Sequence, residues 1–378
     1  MEEKVNKKKR FTLNRVMLVL NALAILFLLL SYLPSNFPPS SLGYITLLGL
    51  GYPILLMINF AFILFWMFRI ARFMLLSAIA IVIGFSQLTD FFRFAIGEDA
   101  SEVTDGRIEV MTYNVHLFGL YDGEEAEAKR DKIFDVLNGE SPDILCFQEF
   151  FHSDKKDYFV TKDSIVKFLP TKYYHARYTH ATGRRSYFGV ALFSKYPIVN
   201  RGYIPFESDV NNFCIYADLK IGDDTVRVFN AHLQSIRFKP EDYAFVDDNK
   251  NEEQLKAGVT RIAERLKIAF EKRQSQVESV AAGVASSPYP VILCGDFNDP
   301  PVSYTYGVLS DILIDSFKEK GSGIGNTYNG AFPSFRIDYV MHSKELEALD
   351  YRTVKADLSD HLPVVVGFRF KPDSLQLN

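Results

Sequence analysis

The stretch "YPVILCGDFNDPP", residues 289–301, sets four apolar residues against a glycine, then places an aspartate, an aromatic, an asparagine and a second aspartate ahead of two prolines. A short apolar run closed by turn residues reads as a buried strand. Asp296 and Asn298, two residues apart beyond its end, share a face. Alone the segment is an acidic turn. Its meaning depends on whether other polar groups meet it.

Working outward, "RIEVMTYNV" (107–115) reads as a strand and "EEAEAKRDKIFDVLNG" (124–139) as a helix with a glycine stop. "PDILCFQEF" (142–150) is a second strand, which completes a strand-helix-strand unit. Further strands are expected at "FGVALFSKYPIV", "FCIYADLKIG", "TVRVFNAHLQS", "FRIDYVMHS" and "HLPVVVGFRF". Residues 235–285 form a long insertion whose second half, from Gln254 to Gly283, has helical periodicity. Many strands with few crossover helices predict a mixed α/β architecture.

Asn114, Glu149, His232, Asp296 and Asn298 fall at or just beyond the end of an apolar segment, and His361 falls at the start of one. Polar groups from distant segments are therefore expected to converge on one edge of the sheets, where α/β proteins bind ligands. Each has a bland alternative: Glu149 as a solvated strand end, His232 as a core histidine, His361 after Asp360 as a polar turn. Asp338 interrupts an apolar strand and needs a partner such as Arg336 or a histidine. Asn230 shares the face of His232. Carboxylates, asparagines and two histidines, with no serine or cysteine in an elbow motif, suit metal-assisted attack of water on a phosphate ester. Glu149 with Asn114 is a sparse oxygen site of the kind Mg²⁺ takes, with Mn²⁺ the alternative, and no histidine cluster favours zinc. Cys146, Cys214 and Cys294 lie in separate apolar runs and read as buried free thiols.

The first 97 residues live in another solvent. Residues 13–33, 42–68 and about 70–92 are almost free of charge, and each approaches or exceeds the roughly 20 residues that cross a bilayer. A cleaved signal is the alternative for the first, but no small-residue cleavage site follows it. Lys4, Lys7, Lys8, Lys9, Arg10 and Arg15 precede the first span, and Arg69 and Arg72 mark the turn between the second and third. Three spans then put residues 98–378 on the extracytoplasmic side, in a bacterium the periplasm; two spans would reverse this. The expected division is a membrane region, 1–97, and a catalytic domain, 98–378.

In order along the chain, "MTYNV", "PDILCFQE", "FNAHLQ", "LCGDFND", "RIDYV" and "SDHLPV" resemble the endonuclease/exonuclease/phosphatase superfamily over residues 107–370. The resemblance implies a four-layered sandwich, two mixed β-sheets face to face with helices outside. It implies a metal site at Glu149 and Asn114, with Asp360 supporting that site or the histidine. Asp296 would align or deprotonate the attacking water, and Asn298 would hold the phosphate or the metal shell. His232 and His361 would contact phosphoryl oxygens or shuttle a proton, with Asp338 orienting His361. His116 stands where the family's AP endonucleases carry an acidic residue, and His232 is retained where they lack it, so a repair role loses weight. Residues 98–378 carry 33 Lys plus Arg against 43 Asp plus Glu, which does not favour a nucleic acid partner. Arg184, Arg185, Arg237, Lys239 and Arg273 are expected as solvated surface charges. The expected activity is hydrolysis of a phosphodiester or phosphomonoester, on a lipid head group if tethering selects the substrate. The alternatives are an extracytoplasmic nuclease and a silent binder of phosphorylated lipid.

Overall fold

The computed structural model describes residues 2–95, 106–155, 158–182, 185–207, 209–236, 242, 252–330 and 335–372. Twelve strands among them form two six-stranded sheets. The strands are β1 (Ile108–Asn114), β2 (Ile144–Ser153), β3 (Tyr173–Thr182), β4 (Ser186–Ser194), β5 (Ile198–Phe206) and β6 (Asp209–Ile221). They continue as β7 (Asp224–His232), β8 (Val291–Asp296), β9 (Ile314–Asp315), β10 (Asp338–His342), β11 (Leu346–Thr353) and β12 (Val364–Phe370). The first sheet runs β11-β12-β1-β2-β4-β3 and the second β5-β6-β7-β8-β10-β9. Each is mixed: β1 lies parallel to β2 and β7 parallel to β8, while their other neighbours are antiparallel.

The alternation of β1 explains the layers. Ile108 and Val110 face the second sheet and join Ile144, Cys146, Val228 and Ile292 in the core between the sheets. Met111 and Tyr113 face outward and pack with Ile133 and Leu137 of helix Ala126–Glu140. Asn114 has the parity of Ile108 and Val110, so it ends up between the sheets. All three cysteines are buried and free. The expected strand at residues 188–199 is two strands, because Lys195 to Pro197 turn the chain from one sheet into the other. The edge strands β3, β9 and β11 had no expectation attached to them.

Among the described residues one helix, Phe11–Ser35, is long and apolar enough to cross a membrane. The other two expected spans are bent pairs: Pro39–Gly49 with Tyr52–Met67 at 54°, and Ala71–Ile83 with Phe85–Phe91 at 66°. Each passes by length and composition only if the pair is counted as one span. The second bend falls at Gly84, where an added Cβ would meet the Tyr32 ring at 2.1 Å. Four polar side chains inside these helices, Asn21, Asn59, Trp66 and Ser77, bond to one another, which lowers the cost of placing them in an apolar surrounding. Asn21 Nδ2 donates to Ser77 Oγ (2.6 Å), Ser77 Oγ to Asn59 Oδ1 (2.9 Å) and Trp66 Nε1 to Asn21 Oδ1 (2.9 Å). Large apolar side chains stand exposed on the outside, among them Met57, Phe68, Val82 and Ile83. One end of this helical group, at Leu28, Tyr32, Tyr52 and Phe91, packs on Val302 and Phe335 of the sandwich.

Candidate functional site

Register assembles the site. Asp296 is the last residue of β8; its pairing partner on β7 is His232 and on β10 is Asp338. Three polar side chains therefore lie side by side across the end of the second sheet. The first sheet supplies Asn114 at the end of β1, whose Nδ2 donates to Asp296 Oδ2 at 2.9 Å across the gap. His361, just before β12, places Nδ1 2.9 Å from Asp338 Oδ2 and Nε2 3.7 Å from Asp296 Oδ2.

Local backbone devices aim these groups. Gly295 has φ of 150°, and a Cβ there would meet the Ala231 carbonyl oxygen at 1.9 Å, so only glycine lets β8 lie this close to β7. Asn298 adopts φ of 54°; its backbone N–H donates to Asp296 Oδ1 at 2.9 Å and its Nδ2 to the Leu233 carbonyl at 3.1 Å. Both Asp296 oxygens thus accept a hydrogen bond, which fixes the carboxylate plane.

Strict alternation would send Glu149 to the outer face with Phe147. Instead the β2–β4 register shifts between Phe147 and Phe150, and Glu149 takes φ of 49°. This bulge re-aims its carboxylate toward His232, with Oε1 4.0 Å from Nε2. After Asn114, His116, Leu117 and Phe118 have φ of 42°, 56° and 57°. Such a run is costly and is held by burying Phe118 among Phe134, Phe147 and Phe150. It brings the His116 N–H to Asn114 Oδ1 at 3.1 Å, so the amide nitrogen is the end that faces Asp296.

The electrostatics follow from burial. Burial alone would lower the pKa of His361, but the Asp338 and Asp296 charges and the Asp338 hydrogen bond outweigh it and push it up to about 10. Burial raises the Asp296 carboxyl above its ordinary value, with Asp338 adding to the rise and the two histidines opposing it. Asp296, Asp338 and His361 form a buried group whose ligand atoms lie within 4.8 Å of one another, a group able to hold a metal ion. It shares none of the three donors expected from the sequence. Asn114 is occupied by Asp296 and the His116 N–H. Asp360 is partly exposed, with Oδ1 3.8 Å from His116 Nδ1 and 3.3 Å from Ser359 Oγ. Glu149 is the partly exposed carboxylate on the open side, beside His232. Asp338 Oδ1 and His232 Nε2 are buried without a hydrogen-bond partner, and the orphaned Asp338 oxygen beside the Asp296 carboxylate is a donor pair that suits a divalent cation.

One expectation is corrected, and the partners of the other groups are now defined. Arg273 is not a solvated rim charge but 1% exposed: Nη2 pairs with Asp299 Oδ1 at 2.8 Å and Nη1 donates to the Gln234 carbonyl at 2.7 Å. Its helix, Glu252–Ala285, buries Phe270, Arg273, Val277, Val280 and Val284 at spacings of three and four. An arginine on such a stripe was the missed signal. Asp299, in the turn after β8, is the buried partner of that arginine. Of the two partners expected for Asp338 the structure has the histidine, His361, while Arg336 pairs with Asp315 at 2.7 Å. Asn230 turns from the cleft into the core, where Nδ2 donates to the Phe147 and Ala191 carbonyls and Oδ1 accepts from Gln148 Nε2, pinning the sheets beneath the site. Arg184, Arg237 and Lys239 lie outside the described residues, while Arg185 is exposed as expected.

Comparison with known proteins agrees with this geometry. The sequence model of the Endonuclease/Exonuclease/phosphatase family matches residues 111–361, and a model described as a domain of unknown function matches residues 14–91. No curated protein matches the chain. Among solved structures, an endonuclease/exonuclease/phosphatase from Beutenbergia cavernae has a TM-score of 0.51 at 17% identity, covering 70% of this chain and 72% of that one. The human Nocturnin catalytic domain scores 0.50 at 19% identity, covering 70% and 95%. A family protein from Leptotrichia buccalis scores 0.50 at 16% identity, covering 70% and 100%. At such identities the likeness is one of fold. With two thirds of its sequence spanned by the family model, its two six-stranded sheets and its paired carboxylates and histidines at one edge, the chain belongs to the Endonuclease/Exonuclease/phosphatase family.

Proposed function

We propose that the chain is a membrane-anchored phosphoesterase, dependent on Mg²⁺ or Mn²⁺, that hydrolyses a phosphodiester or phosphomonoester of an amphiphilic substrate. The observation that carries the reading is the row His232, Asp296, Asp338 with His361 closing it from the other sheet. Asp296, held by Asn114 and the Asn298 N–H, takes the proton of the attacking water. His361, kept cationic by Asp338, offsets charge on a phosphoryl oxygen through Nε2. His232, its Nε2 free of a hydrogen bond, serves the same group from the opposite side. Asn298 holds the strand-end turn that presents Asp296 and contacts the phosphate through that turn. Glu149 is the main residue that would hold the cation, with Asp360 in support, while Asn114 serves to hold Asp296. The cation supplies Lewis-acid polarisation of a phosphoryl oxygen when bound.

The anchoring reading is supported by the apolar exterior of the N-terminal helices and by the hydrogen-bonded set of Asn21, Asn59, Trp66 and Ser77 inside them. In this reading residues 1–97 are the membrane region and 98–378 the catalytic domain on the extracytoplasmic side. A lipid phosphate ester is favoured because the loops that follow Asp296 and precede Asp338 carry Val302 and Phe335, which rest on the ends of those helices. A substrate in the bilayer then meets the site at high effective concentration.

The test is the full chain in detergent with Mg²⁺, offered bis(p-nitrophenyl) phosphate, p-nitrophenyl phosphate, phospholipid micelles and plasmid DNA. Turnover on a phosphate ester, lost in Asp296→Asn and Glu149→Gln, is expected. No turnover on any, or turnover unchanged in both variants, overturns the enzyme; preference for DNA over phospholipid overturns the substrate class. A reporter fused after residue 97 that is active only outside the cytoplasm is the outcome expected of the orientation.

A further inference from the structure

The N-terminal helices make contacts that a simple tether does not need. Arg336, two residues before Asp338, is 1% exposed. Its Nη1 donates to Asp315 Oδ2 and its Nη2 to the backbone carbonyl of Asp90, each at 2.7 Å. Asp90 belongs to helix Phe85–Phe91, the last of the N-terminal group, and its side chain accepts from Lys318. The guanidinium lies over Phe317 at 4.3 Å and Tyr339 at 4.8 Å.

A buried guanidinium is stable only with its donors paired, and Nε of Arg336 has no partner. The Asp90 carbonyl is therefore half of its ligation by oxygen, and the helical region provides it. From Arg336 the restraint passes directly to both site loops. The Tyr339 hydroxyl lies 2.8 Å from the Arg336 carbonyl and 2.8 Å from the Asp299 carbonyl. Asp299 in turn holds Arg273 and Thr305. Next to Arg336, Phe335 packs with Val302 against Tyr52 and Phe91 of the helices. Ile337 and Asp338 donate their N–H groups to Thr327 Oγ1 at 3.0 and 3.1 Å, so residues 335–338 are gripped by the sandwich on one side and by the helices on the other.

We propose that Arg336 is a positioning residue that couples the docked N-terminal helices to the Asp338–His361 pair, making those helices part of the scaffold of the site. The catalytic readout of this coupling rests on the reading of Asp338 and His361 given above; the coupling itself does not. Freed from the Asp90 carbonyl, the guanidinium swings toward other acceptors and carries residues 335–338 with it. Displacing a reacting group by about 1 Å is enough to cost about 100-fold in rate.

The experiment uses the full chain in detergent and compares wild type with Tyr52→Ala, which loosens the docked helices without touching the sandwich's polar groups, and with Arg336→Met and Arg336→Lys. Hydrolysis of bis(p-nitrophenyl) phosphate with Mg²⁺ is read beside hydrogen exchange of peptides covering residues 296–303, 335–342 and 364–370. Tyr52→Ala and Arg336→Met are expected to lower kcat about 10- to 100-fold with KM within about twofold, because positioning is felt in the chemical step. Exchange should quicken at 335–342 and 296–303 but not at 364–370, and Arg336→Lys should recover part of both effects. Unchanged exchange at 335–342 in both Tyr52→Ala and Arg336→Met overturns the coupling, as does exchange that quickens equally in all three peptides. Should the wild type hydrolyse nothing, the enzyme reading falls, and the exchange pattern still decides the coupling.

Discussion

Asp338→Asn separates the charge of the Asp338–His361 pair from its shape. Asp338 and His361 are almost fully buried, and Nδ1 meets Oδ2 at 2.9 Å. An asparagine can keep the contact, because its carbonyl oxygen still accepts from Nδ1–H. What goes is the negative charge, the largest of the influences that hold His361 protonated up to about pH 10 against burial. Without it burial is opposed only by the Asp296 and Asp360 charges, so the imidazole loses its proton at lower pH than in the wild type. A hydrogen bond from a charged donor is worth about 1.5–3 kcal/mol. Losing the cation where charge develops should therefore lower kcat about 10- to 150-fold at one decade per 1.4 kcal/mol. Steady-state hydrolysis of bis(p-nitrophenyl) phosphate with Mg²⁺ from pH 6 to 9 is the assay. The wild type should show no loss from this group across that range, and the variant should lose rate as pH rises. A variant with kcat within twofold of wild type and the same pH profile refutes a cationic His361 in the chemistry.

Glu149→Gln should raise the Mg²⁺ concentration needed for half-maximal rate by at least tenfold, an order-of-magnitude expectation for losing a main ligand carboxylate, and metal titration of the rate checks it. Arg273→Met leaves Asp299 buried and unpaired and should destabilise the sandwich by about 3–5 kcal/mol. The double variant Arg273→Met with Asp299→Asn should regain part of that in the same denaturant titration; no recovery would mean that the arginine acts through packing alone. In the metal-free protein His361 binds its proton more tightly folded than unfolded, 6.5 being its ordinary value. That contribution is full below about pH 6.5 and is lost as pH rises toward 10. The melting temperature in chelator should fall over this window, and fall less in Asp338→Asn.

Much of the site was legible because strands have a period of two. Alternation alone puts Asn114 on the face of Ile108 and Val110, and pairs Asp296 with Asn298 beyond the end of a buried run. The family resemblance then supplied the expectation that Asp338 orients His361, and the two side chains lie 2.9 Å apart. Helical periodicity likewise placed the helix of the insertion, and the apolar composition of the first 97 residues separated them from the rest.

Tertiary structure decided what local pattern cannot carry. Glu149 reaches the cleft through a bulge, and a bulge is a property of the β2–β4 register, not of "CFQEF". Arg273 looked like one more charge on a polar helix, and only the meeting of that helix with the turn at Asp299 makes it an interior ion pair. The contact between Arg336 and the Asp90 carbonyl joins residues 246 positions apart, where sequence spacing carries no information. Periodicity records which face a residue takes within its own element. Which buried charge meets which is settled by desolvation, since a charge taken out of water must find its partner wherever the chain has folded to provide one.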